Sequence, residues 1–196
     1  ALFDLNVKSR SLMGWQIPII TDNTHYKAII DNILNTNILS LLKNDEIVVI
    51  PGFQGVTSEN RISTLGRGGS DTSAVAIAAS IKAERCNIYT DVDGIFTADP
   101  RMVPKAKKLK KISYEEMLEM ASQGAKVLQT RSVALAMKNK LKINVLSSFE
   151  DKVGTLVVDE EEIMEKNIVS GIAFSLEEAK LTVVGLPDKP GQASKL

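Results

Sequence analysis

The run Gly66-Arg67-Gly68-Gly69-Ser70-Asp71 limits what this chain can fold into more than any other feature. Its glycines open backbone conformations closed to other residues, so the run reads as a loop. The alanine-rich segment that follows, to about Arg85, reads as a helix, because alanine is the best helix former. Ser70 or Asp71 is the expected N-cap. A helix that opens on glycines presents unpaired N–H groups and the positive end of its dipole. That suits an anion, whether phosphate or carboxylate, and Arg67 adds a planar fork for bidentate carboxylate binding. A plain glycine turn ahead of a capped helix fits the spacing equally well. The run is neither the G-x-x-x-x-G-K-[ST] phosphate loop nor G-x-G-x-x-G. A carboxylate beside phosphates is repelled unless a cation lies between them. In a phosphate site Asp71 would therefore hold a lysine or Mg²⁺ in place; otherwise it complements the helix dipole.

Around this run, apolar segments alternate with helical ones. Ile47 to Ile50, bounded by Asp45 and Pro51-Gly52, reads as a buried strand, and a polar, glycine-rich loop follows from Gln54 to Gly69. Cys86 to Val92 and Ile143 to Leu146 read as further strands. Ser113 with Glu116 forms a capping box for a helix near 113–122, and a second helix is expected near 127–139 after Gly124. The pattern predicts an α/β fold, a mainly parallel sheet with helices on both faces. Met117 and Met120 sit at helical spacing and read as core, whereas His25 and Trp15 give no usable signal. The acidic segment at 159–167 reads as a linker or exposed helix, after which the expected strands Ile168 to Phe174 and Ala179 to Leu186 open a small second α+β domain at 168–196 that is expected to be truncated.

The totals exclude several classes. Lys plus Arg equals Asp plus Glu at 24 each, which gives no overall field for nucleic acid or an anionic membrane. No stretch approaches the ~20 apolar residues of a membrane span. The single cysteine, Cys86, and the single histidine leave no zinc cluster, and a reducing cytoplasm fits. The start, Ala1-Leu2-Phe3-Asp4, has no signal-peptide pattern and reads as the interior of a longer protein.

A second candidate site is Thr90-Asp91-Val92-Asp93-Gly94-Ile95-Phe96-Thr97-Ala98-Asp99-Pro100-Arg101. It follows a predicted strand, and ligands of open α/β sheets bind at carboxyl ends of strands. Phe96 suits packing on a base and Arg101 suits a phosphate. The same composition also serves a simple Asp- and Gly-rich turn, and the spacing of a calcium loop is absent. Lys126, between two helices, has the reach for phosphate but is equally a solvated side chain. The run Lys105, Lys107, Lys108, Lys110 and Lys111 reads as a solvated face.

Taken together, these segments resemble the aspartokinases of the amino acid kinase family. The likeness rests on Gly52-Phe53-Gln54-Gly55, on Thr64-Leu65 through Asp71, on Thr90 to Gly94 with Ala98 to Arg101, and on Gly124-Ala125-Lys126-Val127-Leu128. It extends from Ser11 to Gly191. The resemblance implies that ATP, with Mg²⁺, phosphorylates the β-carboxylate of aspartate, a step towards lysine, threonine and methionine. It implies that residues 1–158 are the C-terminal portion of the catalytic domain. Arg67, Gly68, Gly69 and Ser70 would bind aspartate, and Asp71 would organise the cations. Thr90, Asp91, Phe96, Thr97, Asp99, Arg101 and Lys126 would contact the nucleotide. The family often has tyrosine where Phe96 stands. The last residues resemble the start of an ACT regulatory domain, in which Asp188, Gln192 and Ala193 would meet a lysine or threonine effector. No dedicated metal ligand is implied, and a homodimer or higher oligomer is expected. The family's opening Lys-Phe-Gly-Gly-Thr-Ser segment lies outside this sequence, so the chain alone is expected to be inactive. Rival readings are another amino acid kinase, such as a uridylate or glutamate kinase, and a non-catalytic module that binds an amino acid.

Overall fold

A computed structural model describes residues 1–125, 127–163 and 170–174. Lys126, Asp188, Gln192 and Ala193, and the expected strand at 179–186, lie outside the described residues.

The chain begins with three short strands, β1 (Ser9–Ser11), β2 (Ile19–Thr21) and β3 (Ile30–Ile33), then helix α1 (Thr36–Lys43) and strand β4 (Ile47–Val49). Strands β5 (Gln54–Thr57) and β6 (Ile62–Thr64) lead to helix α2 (Gly69–Ser80) and strand β7 (Arg85–Thr90). Strand β8 (Lys111–Ser113) runs into helix α3 (Tyr114–Ser122), and α4 (Thr130–Lys138) precedes β9 (Lys142–Ser147) and β10 (Thr155–Val158). The α/β class holds. The strands form three sheets, ordered β1-β4, β3-β2-β5-β6 and β7-β9-β10-β8. The pairs β1–β4, β2–β5, β7–β9 and β8–β10 are parallel, and β2–β3, β5–β6 and β9–β10 are antiparallel.

Period-two patterning shows which face of the last sheet is buried. In β7, Cys86 and Ile88 are buried while Asn87 and Tyr89 are exposed; in β9, Ile143 and Val145 are fully buried. These side chains join Val75 and Ala78 of α2, Met117 of α3 and Val133 and Ala136 of α4 in one core. The described helices therefore cover one face of this sheet, and Tyr89 lies on the open one. A second core gathers Ile17, Ile19, Ile33, Ile38 and Leu41 with Ala76. Helix α2 contributes to both cores. Its alanines leave room for close approach on two sides, which explains a composition with no one-sided apolar stripe.

Several expectations are corrected. The loop expected over 54–69 contains the β5–β6 hairpin, whose Ser63 is buried and bonded to Thr21 across the sheet at 2.6 Å. The strand expected to be buried at 47–50 leaves Ile47 at 45% and Val49 at 47% exposure, because its pairing with β1 leaves those side chains without cover among the described residues. The N-cap of α2 is Gly68, not Ser70 or Asp71, since the turn demands φ +69° there. Residues 170–174 of the expected strand at 168–174 carry no strand pairing; Ile172 donates its N–H to the Thr97 carbonyl instead. The capping box stands as expected: Ser113 Oγ accepts from Glu116 N–H and the Glu116 carboxylate accepts from Ser113 N–H.

Fully buried Thr155 joins β10 to the loop after β7. Its hydroxyl accepts the Ile95 N–H at 2.9 Å and donates to the Leu109 carbonyl at 2.6 Å. Thr155→Val keeps the shape and leaves both partners unsatisfied, so it should cost ~1–3 kcal/mol. A urea titration followed by circular dichroism checks this, and an unchanged midpoint contradicts it.

Candidate active site

The glycine loop is clamped by four parts of the chain. Leu65 N–H donates to the Phe53 carbonyl at 2.9 Å, which ties the loop to the turn after β4. Ser73, buried in α2, accepts the Phe53 N–H at 3.0 Å and donates to the Gly69 carbonyl at 2.8 Å. Gly66, at φ +83°, lies against the Tyr26 carbonyl, and Gly68 lies against the Gln129 side chain at the start of α4. The N-cap Gly68 has no side chain to cap α2; the Gly69 N–H is taken by the Gly66 carbonyl at 2.9 Å and the Thr72 N–H by the Gly68 carbonyl at 3.3 Å. Arg67 and Ser70 are exposed there. The fork of Arg67 is free to meet a ligand's carboxylate, and the helix start supplies a second positive element.

Asp71 occupies the first turn of α2 and is half-buried. Burial raises its carboxyl above the usual range, while the Gln129 N–H and the Ser70 hydroxyl pull the other way. The group thus carries its charge against a desolvation cost, as expected of a carboxylate kept for a cationic partner. Its charge is felt at Cys86: burial first, then Asp71, pushes that thiol to about 11. A thiol so protonated at neutral pH is inert.

The four residues 81–84 reverse the chain between α2 and β7. The start of α2 and the carboxyl end of β7 therefore point toward the same edge of this unit. The second candidate segment leaves β7 at that end. Thr90 Oγ1 donates to Asp91 at 3.2 Å, and Arg101 lies 3.9 Å from Asp91 with both side chains largely exposed. That surface pair contributes little to stability and remains available to a ligand. Thr97 exchanges bonds with Lys107: its N–H donates to the Lys107 carbonyl at 2.9 Å, and its hydroxyl accepts the Lys107 N–H at 3.0 Å. Phe96 bridges to Lys108, and Asp99 accepts the Arg101 N–H at 2.8 Å to close a turn. Lys108 is not part of a solvated face. It is mostly buried and donates to Asp93 at 3.0 Å and to the Val153 carbonyl at 2.8 Å. A cavity of about 320 Å³ lies between Thr97–Asp99 and Ser170–Phe174. Small-molecule sites span roughly 300–1,000 Å³.

Sequence reasoning missed Gln129, Ser73, Lys108 and Arg131. The helix expected from 127 hid Arg131 past its first turn; α4 starts at Thr130, which makes Arg131 its second residue, where a cation opposes the helix dipole and needs compensating acceptors. Among the described residues, no group of three or more His, Cys, Asp or Glu is placed to hold a metal ion, and no helix is long and apolar enough to cross a membrane.

The sequence model of the amino acid kinase family matches residues 1–147. The chain belongs to that family. It is 54% identical over 197 residues to the aspartate kinase of Pseudomonas putida, covering 100% of this chain and 48% of that protein. It is also 54% identical, over 198 residues, to the aspartokinase of Pseudomonas aeruginosa, again 100% of this chain and 48% of the relative. The solved structure of E. coli aspartokinase III in complex with aspartate and ADP aligns with a TM-score of 0.75 at 34% identity, covering 81% of this chain and 36% of that one. The likeness to aspartokinases drawn from the glycine loop is thus borne out. This amino acid kinase chain spans about half the length of the curated relatives it matches.

Gly66→Ala tests the clamp. The new Cβ would meet the Tyr26 carbonyl oxygen, a backbone atom that cannot swing aside, and the left-handed conformation alone costs ~1–2 kcal/mol. A thermal melt should show destabilisation of at least that size. A neutral result means that the loop does not depend on this approach.

Proposed function

We propose that this chain forms part of the catalytic unit of an aspartate kinase, which transfers the γ-phosphoryl group of ATP to the β-carboxylate of L-aspartate. One observation carries the reading: an uncapped glycine-loop helix start with a half-buried Asp71 in its first turn, on a chain 54% identical to a protein named aspartate kinase. Arg67 pairs with a carboxylate of aspartate, and the loop backbone at Gly68, Gly69 and Ser70 orients it. A β-carboxylate oxygen attacks the γ-phosphorus as the bond to the β,γ-bridging oxygen breaks, and ADP leaves. The nucleophile is already ionised, so no proton has to be removed. Catalysis then consists of positioning and charge stabilisation. Thr90, Asp91, Phe96, Thr97, Asp99 and Arg101 line the nucleotide's side, with Lys126 as a further phosphate contact. The acceptor-only carboxylate of Asp71 suits a cation beside the phosphates, and a Mg²⁺ brought by the nucleotide would supply charge screening there. Lysine or threonine, acting through Asp188, Gln192 and Ala193, is the corresponding effector.

The test is ADP release in the full-length protein bearing this sequence, with Mg·ATP and a panel of aspartate, glutamate and uridylate. Turnover with aspartate alone is expected, and turnover only with another acceptor contradicts the proposal. Asp71→Asn adds a second readout. The folded state holds Asp71's proton to a higher pH than the unfolded state does, so the unfolded state binds fewer protons between the two pKa values. Stability is therefore lost as pH rises through that window and stays lower above it. At pH 7 the uncharged isostere should melt at the same temperature or higher. Its kcat should fall ~10²-fold or more, as when one preorganised electrostatic group is lost. A near-normal kcat would make Asp71 a helix-end charge only.

A further inference from the structure

We propose that Arg131 is a positioning residue, which sets the shape of the glycine loop from the neighbouring helix. The loop has one bond of its own, from the Gly69 N–H to the Gly66 carbonyl at 2.9 Å. Gly66 and Gly68 both adopt positive φ, and glycine has more conformations to lose than any other residue. One turn bond does not hold such a loop against its neighbours, so further restraints come from outside it. Ser73 does so from within α2. Arg131 does so from α4, and its guanidinium is forked across two strands of chain. Nη1 donates to the Leu65 carbonyl at 3.0 Å, and Nη2 donates to the Ala28 carbonyl. Leu65 is the residue immediately before Gly66. Ala28 is fully buried and donates its own N–H to the Thr64 carbonyl at 3.1 Å. One guanidinium thus ties the entry of the loop to the segment beneath it, which also supplies the Tyr26 carbonyl against Gly66. The Asp22 carboxylate belongs to the same segment. It is held below the usual range mainly by the Ile29 N–H, with a smaller pull from Arg131.

The location supports a specific role over general packing. A cation in the first turn of α4 faces the positive end of the helix dipole. The Leu65 and Ala28 carbonyls offset that disadvantage, and both lie at the loop entry or on the segment under it. A lysine cannot reproduce the arrangement, since a point charge on a flexible stem does not bridge two carbonyls in a fixed fork. The hydrogen bonds of Arg131 go to two backbone carbonyls, so its action runs through the backbone that carries Arg67 and the start of α2.

The consequence for aspartate rests on the proposed function, whereas the consequence for the loop does not. The experiment uses Arg131→Met and Arg131→Lys in the full-length protein. Hydrogen–deuterium exchange should accelerate ~10-fold or more at the amides of Gly66 to Gly69 in both variants, the size expected for losing a hydrogen bond to a charged group. Exchange in β9 should not change. In ADP-release kinetics, KM for aspartate should rise by about the same factor, with KM for ATP within about twofold. Unchanged exchange at Gly66 to Gly69 overturns the proposal. So does an acceleration that extends equally to β9 with both Michaelis constants rising together, because that describes a weakened fold. If the unmodified protein shows no aspartate-dependent turnover, the aspartate kinase reading fails, and exchange at Gly66 to Gly69 still decides the role of Arg131.

Discussion

The rest of the site depends on the burial of α2 from two sides. Val75 and Ala78 pack into the core under the β7-β9-β10-β8 sheet, and Ala76 packs with Ile17, Ile19 and Leu41. Small side chains permit both approaches at once, because a helix face of methyl groups lets neighbouring backbones come close. Fixing the helix fixes its first turn, and with it the direction of the N–H groups and of Asp71. Ser73 extends this outward, since one buried hydroxyl joins the helix start to the turn at Phe53. A loop of glycines would otherwise stay an ensemble; here α2, the β4–β5 turn and the start of α4 each restrain one part of it.

Electrostatics then divides the carboxylates by use. Asp93 is paired with Lys108 under partial burial, and Asp99 is engaged in its own turn, so both shape the loop after β7. Asp91 has exposed contacts only, from the Thr90 hydroxyl at 3.2 Å and from Arg101 at 3.9 Å, among the described residues. Among the described residues, Asp71 alone combines burial with a raised pKa and a position at a helix start. Burial penalises its charge, and a bound cation would offset that penalty. The same carboxylate therefore costs stability by itself, and under the proposed function it would hold a cation beside the phosphates.

The sequence revealed what local chemistry determines. The glycine run, the alanine-rich helix, the Ser113–Glu116 box and the alternation in β7 and β9 are all local. Other features stayed hidden because competing terms decide them at a distance. Composition marked 54–69 as loop, yet Thr21 across the sheet pairs with Ser63 and makes it a hairpin. Cap preference favoured Ser70 or Asp71, yet the positive φ of the turn selected Gly68. Lys108 stood in a basic run, and only the return of the chain past Asp93 shows that it is paired. Arg131 reaches carbonyls 66 and 103 residues away, which no pattern in one sequence discloses.

The central claim is that the loop at Gly66 to Ser70 receives the carboxylates of aspartate. The most direct measurement is amide NMR of glycine-labelled full-length protein during titration with aspartate, with glutamate and chloride as controls. Gly66, Gly68 and Gly69 should shift and saturate with aspartate, and should move little with either control at the same concentration. Saturable shifts confined to other glycines, or none at all while aspartate is being turned over, would place the acceptor elsewhere and contradict the account.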